Sequence, residues 1–126
     1  MFDQYSLLQL LQSLPFSKEA YWVVAGGAMV LHGFRPQTQD VDLGCTTLLA
    51  DQLEQQGCAA ARCGDGTRRF SYSEHIKIFE NWIEGSVEII SGVRVVSADG
   101  LFRMKRKLGR EKEFAVIALI EKARDA

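Results

Sequence analysis

Proline is nearly absent, with two residues in 126. No Pro/Ser-rich linker, internal repeat or low-complexity tract divides the chain, whose length suits one domain with one core. Cysteine is scarce and odd in number: Cys45, Cys58 and Cys63 cannot all pair with one another. Their spacing matches no common zinc pattern. Reduced, partly buried thiols in a cytosolic protein are expected, with a zinc site from Cys58, Cys63 and a histidine as the alternative. An excess of one charge is missing too. Fifteen basic residues face sixteen acidic ones, a formal net charge of −1, so nothing pulls the whole molecule toward nucleic acid or an anionic membrane. No apolar run is long enough to span a bilayer. Met1-Phe2-Asp3-Gln4 lacks the basic start and apolar stretch of a secretory signal, and a cytoplasmic location is expected. What is present is a hydrophobic fraction of 47%, that of an ordinary globular protein.

Local patterns predict the elements. Asp3 can cap a helix to about Leu14, with Leu7, Leu10, Leu11 and Leu14 at helical spacing and Pro15 as its stop. Tyr21 to Ala25 reads as a buried strand. Gly26-Gly27 then opens a short helix from Ala28 to His32, closed by Gly33. Arg35-Pro36-Gln37 is a loop, Val41 to Cys45 a strand, and Thr46 or Thr47 caps a helix to about Gln56. Strands follow at Cys58 to Cys63, Arg68 to Tyr72, Ile76 to Glu80, Ser86 to Ile90 and Val93 to Val96. Gly64-Asp65-Gly66 and Ser91-Gly92 mark turns. Ser97 caps a helix to about Leu108, and Glu111 to Arg124 forms the last one. The order predicts an α+β (α/β) domain with a mixed, largely antiparallel sheet and helices packed mainly on one face.

The chemistry concentrates in Thr38-Gln39-Asp40-Val41-Asp42-Leu43. Residues two apart share a face of a strand, so Asp40 and Asp42 point one way while Val41 and Leu43 enter the core. Two such carboxylates repel unless water, a cationic side chain or a divalent metal lies between them. Aspartate is depleted in strands, which argues for a role, and magnesium suits this donor type. Gly26 and Gly27 stand where a strand becomes a helix, and glycine lets an anion approach the backbone there. Tight packing is the alternative reason for them. Glu88, an acid inside the apolar Val87 to Ile90 strand, is the candidate third carboxylate of a two-metal site or the general base, with Glu80 and Glu84 as competitors.

Lys105 falls inside the apolar arc of its helix, between Leu101 and Phe102, and so needs an anionic partner or a route to water. Arg35 can bind phosphate through its fork geometry, and Thr38 can steady the strand entry. Arg110 and Lys112 could extend a basic rim. His32 is expected to be a satisfied packing residue, and His75 is assigned no role. Arg62, Arg68 and Arg69, beside Phe70 and Tyr72, are expected on a solvated strand face rather than a nucleic-acid surface.

The stretch Val24 to Leu43 resembles the minimal nucleotidyltransferases of the polymerase-beta-like superfamily, through Gly26-Gly27 and then Arg35-x-x-Thr38-x-Asp40-Val41-Asp42. It looks most like the toxin-like, abortive-infection and small antibiotic-modifying members. Lys105 through Glu113 is similar to that subgroup's lysine followed by Arg-x-Lys-acid. The resemblance implies the nucleotidyltransferase fold and transfer of a nucleoside monophosphate from a nucleoside triphosphate to an acceptor hydroxyl. It further implies two magnesium ions, with manganese able to substitute. Asp40, Asp42 and Glu88 would hold metal. Gly26, Gly27, Arg35, Thr38 and Lys105 would contact the nucleotide. The family often has aspartate where this chain has Glu88. The extra helical domain of many relatives is not expected within these 126 residues, so a tRNA, protein or small-molecule acceptor would be gripped with a partner or across a homodimer. The apolar Phe114, Val116, Ile117, Leu119 and Ile120 suit a helical partner. A catalytically silent nucleotide-binding or toxin–antitoxin-type interaction module is the rival reading.

Overall fold

The computed structural model describes residues 1–64, 66–83 and 85–108, the last five of these by their backbone alone. Helix α1 (Gln4–Ser13) begins at Asp3, which accepts from the Ser6 amide while Ser6 reciprocates to the Asp3 amide, a capping box. Strand β2 (Tyr21–Val24) is buried throughout and leads into α2 (Ala25–Leu31). The turn from strand to helix puts Ala25 at φ +53°, a left-handed conformation unusual for a residue with a Cβ. Both glycines therefore lie in the first turn of α2 rather than ahead of it, and His32 is its C-cap. Strand β4 (Val41–Cys45) is followed by α3 (Thr47–Gln55), capped by the Thr46 hydroxyl. Four more strands follow: β5 (Ala60–Arg62), β6 (Arg68–Ser71), β7 (Ile76–Glu80) and β8 (Val87–Ile90). Strand β9 (Val93–Val96) and helix α4 (Ala98–Leu108) complete the described chain. Ser91 and Gly92 join β8 to β9 with both φ positive, the two-residue hairpin turn predicted for them. One pair went unforeseen: β1 (Phe2–Asp3) with β3 (Gln37–Thr38), strands too short to leave a pattern.

The main sheet has the order β5-β6-β7-β4-β2-β9-β8. β4 runs parallel to β7 and β2 parallel to β9; the other neighbours are antiparallel. Paired residues share a face. One stripe runs Phe70, Ile78, Leu43, Val23, Val95 across five strands, and each of these side chains is fully buried. The helices lie on that face. A Cβ on Gly27 of α2 would meet Val23 at 2.9 Å, and the Tyr21 hydroxyl donates to the Leu11 carbonyl of α1. Asp51 and Glu54 of α3 reach Arg68, which points the same way as Phe70. Helices α1 to α3 thus cover one face, and the mixed α+β architecture matches the sequence expectation.

Candidate functional site around Asp40 and Asp42

The opposite face of the sheet carries the acidic pair. Val41 and Leu43 are fully buried among the core residues, which turns Asp40 and Asp42 the other way. Asp40 is exposed just ahead of β4, and Asp42 is half-buried within it. Asp42 is the register partner of Val24, the residue that feeds α2. Asp42 therefore lies beside the end of β2 that leads into Gly26 and Gly27 of α2.

Three of the proposed nucleotide-binding residues converge. A Cβ on Gly26 would lie 2.6 Å from the Thr38 Oγ1 and 3.3 Å from an Arg35 guanidinium nitrogen. Thr38 is buried and donates its hydroxyl to the Asp40 carbonyl, 3.0 Å away. It thus fixes the chain at the entrance to the acidic strand. Gly26 is needed so that the Arg35–Thr38 segment can close on α2, and Gly27 so that α2 can sit on Val23. Packing therefore accounts for both glycines, while the same packing brings a guanidinium to the helix start. Val24 gives α2 no side-chain cap.

The remaining proposed ligands do not join this group. Glu88 pairs in register with Val95, Val95 with Val23, and Val23 with Leu43, so Glu88 shares the helix-covered face. Asp42 occupies the other. Glu88 instead approaches His32 at 3.8 Å. The convergence expected of Asp40, Asp42 and Glu88 is not found, because β8 joins the sheet in the register opposite to the one needed. Of its competitors, Glu80 is consumed by Arg68, and Glu84 lies outside the described residues. Lys105 is on α4, and its side chain also lies outside them, as do Arg110, Lys112 and the predicted last helix.

The sequence did not reveal two basic residues beside the acids. Lys77 of β7 is the register partner of Asp42, and the His75 Nδ1 is 3.9 Å from an Asp40 oxygen. The edge of the Phe2 ring packs against His75. Lys77 places a cation on the strand beside Asp42, which eases the repulsion noted above. Only the β4–β7 register brings them together, and no local pattern announces that register.

Arg68 corrects a second expectation. It is buried, not solvated, and its guanidinium binds Glu80 at 2.8 Å and both Asp51 and Glu54 at 2.9 Å. Hydrogen bonds from Arg68 hold the Glu80 carboxyl down at about 2, from an ordinary 4.5. Burial, with Glu80 nearby, pushes the Cys45 thiol up to about 11. The cluster ties α3 to the sheet at the end away from Asp42. His32 is satisfied as expected, its Nε2 2.8 Å from the Val96 carbonyl and its ring stacked on Phe34. All three cysteines are free thiols.

No helix among the described residues is long and apolar enough to cross a membrane. Comparison with protein-family models, with curated proteins and with solved structures yields no match to this chain.

Proposed function

We propose that the chain is a nucleotidyltransferase that moves a nucleoside monophosphate from a nucleoside triphosphate to an acceptor hydroxyl. The observation that carries this reading is the adjacency of Asp42 to the strand entering Gly26, with Arg35 packed against that glycine. A carboxylate pair and a guanidinium border one spot at the ends of the central strands β2 and β4.

The donor set fits a divalent ion. Asp40 and Asp42 offer hard oxygens at the start of the central strand β4, one exposed and one half-buried, and magnesium is usually held by one or two carboxylates plus substrate phosphates. Asp40 and Asp42 would hold that ion, magnesium or manganese, and when bound it supplies positive charge to the phosphates. A second ion lacks a third carboxylate in Glu88. Arg35 neutralises phosphate charge through its fork, and Thr38 keeps the loop closed so that Arg35 stays there. The acceptor oxygen bonds to the α-phosphorus as the bond to the departing pyrophosphate breaks. Asp40, the more exposed acid, is open to take the hydroxyl proton.

A second reading, nucleotide binding without turnover, is favoured by the position of Glu88 on the other face. The two separate in one assay. The protein is incubated with magnesium and each α-labelled triphosphate, alone and with tRNA, aminoglycoside and lincosamide acceptors. Transfer of label with pyrophosphate release supports the enzyme. Binding without release supports the silent module. Asp42→Asn is expected to abolish transfer while melting as the parent does.

A further inference from the structure

The main sheet ends in β5 on one side and β8 on the other. A free edge offers unpaired amides and carbonyls to another strand, and proteins blunt such edges with charge, proline, a bulge or brevity. β5 is three residues long and ends in the exposed Arg62. β8, Val87-Glu88-Ile89-Ile90, holds no proline, lysine or arginine. Among the described residues it pairs with β9 alone, residue for residue without a bulge, and Ile89 is 73% exposed. Its backbone phase is fixed at both ends. The Ser97 amide donates to the Ser86 carbonyl, 2.8 Å away. Ser91-Gly92 make a two-residue turn, which closes on a bonded Ile90–Val93 pair. Bonded pairs alternate along an antiparallel ladder. Ser86, Glu88 and Ile90 therefore turn their backbone polar groups to β9, while Val87 and Ile89 turn theirs outward.

We infer that the β8 edge pairs antiparallel with the β8 edge of a second copy of this chain, with Ile89 opposite the partner's Ile89. Only registers that set outward-turned residues opposite each other make bonds. A register centred on Glu88 would bring two glutamates together in a non-bonded pair, where Cα atoms approach to about 4.5 Å and like charges destabilise. Centring on Ile89 sets Glu88 opposite the partner's Ile90 instead. The two isoleucines then exchange both backbone bonds across a two-fold axis, as an isologous contact requires. Paired residues share a face, so Arg94, Ile89, the partner's Ile89 and the partner's Arg94 form one row, apolar at its centre and cationic at its ends. A second copy is the strand certain to match, since it brings the same outward phase and the same isoleucine. The contact uses none of Asp40, Asp42, Gly26 or Arg35, so it stands apart from the nucleotidyltransferase reading.

The test is sedimentation equilibrium of the full chain from about 1 to about 300 μM, because so short an edge makes a small, weak interface. The parent is expected to pass from monomer to dimer over that range. Ile89→Lys alters an exposed side chain and sets two cations opposite each other. It is expected to stay monomeric throughout while melting as the parent does. Cross-linking reads the register, in a Cys58→Ser, Cys63→Ser background where the remaining Cys45 is buried. Ile89→Cys should give a disulfide-linked dimer on mild oxidation with diamide, since Cα atoms of a bonded pair lie about 5.5 Å apart. Glu88→Cys sets its two thiols out of register and should give at least about tenfold less linked dimer. A monomer at every concentration overturns the inference, whether the edge stays open or residues 109–126 of the same chain cover it. So does a dimer that Ile89→Lys leaves intact, or equal cross-linking of the two cysteine variants.

Discussion

At the scale of the residue, Arg68 shows how much one buried side chain organises. It is paired with three carboxylates from α3 and β7, and Glu80 is as buried as its partner. The folded carboxyl titrates near 2 and the unfolded one near 4.5. The folded state therefore binds this proton less tightly, and the pair's stabilisation is complete above about 4.5 and fades as pH falls toward 2. The melting temperatures of parent and Glu80→Gln should differ most at neutral pH and converge near pH 2. A gap that stays constant across this window contradicts the assignment. The thiols make a second residue-scale prediction. Cys63 is exposed, Cys58 intermediate, and Cys45 is buried with its thiol raised to about 11. A thiol reagent should label Cys63 first and Cys45 only on unfolding, read by mass spectrometry of peptides. Labelling of native Cys45 at the rate of Cys63 contradicts that order.

At the scale of the element, what was legible depended on whether a signal was local. The bounds of β4, β7 and β9 follow from buried-exposed alternation between turn residues, and the Asp3 and Thr46 caps from side chains that bond their own helix. The hairpin at Ser91-Gly92 was legible because glycine there permits a positive φ. Ser91 shares that conformation at φ +52° without glycine's freedom. Ser91→Asn, better suited to this turn position, is expected to stabilise the fold by roughly 0.5 kcal/mol, measured by urea unfolding. A loss of stability means the turn has another geometry. Registers were not legible. Whether Glu88 faces Asp42 or His32 depends on how β8 pairs with β9, and a slip of one residue reverses the face. Arg68 and Arg69 read alike in sequence, yet one enters the core and the other lies on the open face.

At the scale of the whole molecule, the division of labour between the two faces governs the account. Three helices bury one face around Val23, Leu43, Phe70, Ile78 and Val95, while the other bears the aspartates, with Lys77 and His75 beside them. The Asp40–Asp42 motif, Gly26 and Arg35 were found from the sequence because their spacing along one stretch encodes their proximity. The partners on β7 and β8 come from distant segments. The most direct measurement is a calorimetric titration of the parent and of Asp42→Asn with a non-hydrolysable nucleoside triphosphate, with magnesium and with EDTA. The account predicts heat of binding for the parent with magnesium alone, and none for a variant that melts as the parent does. Binding of equal strength in EDTA, or in the variant, contradicts it.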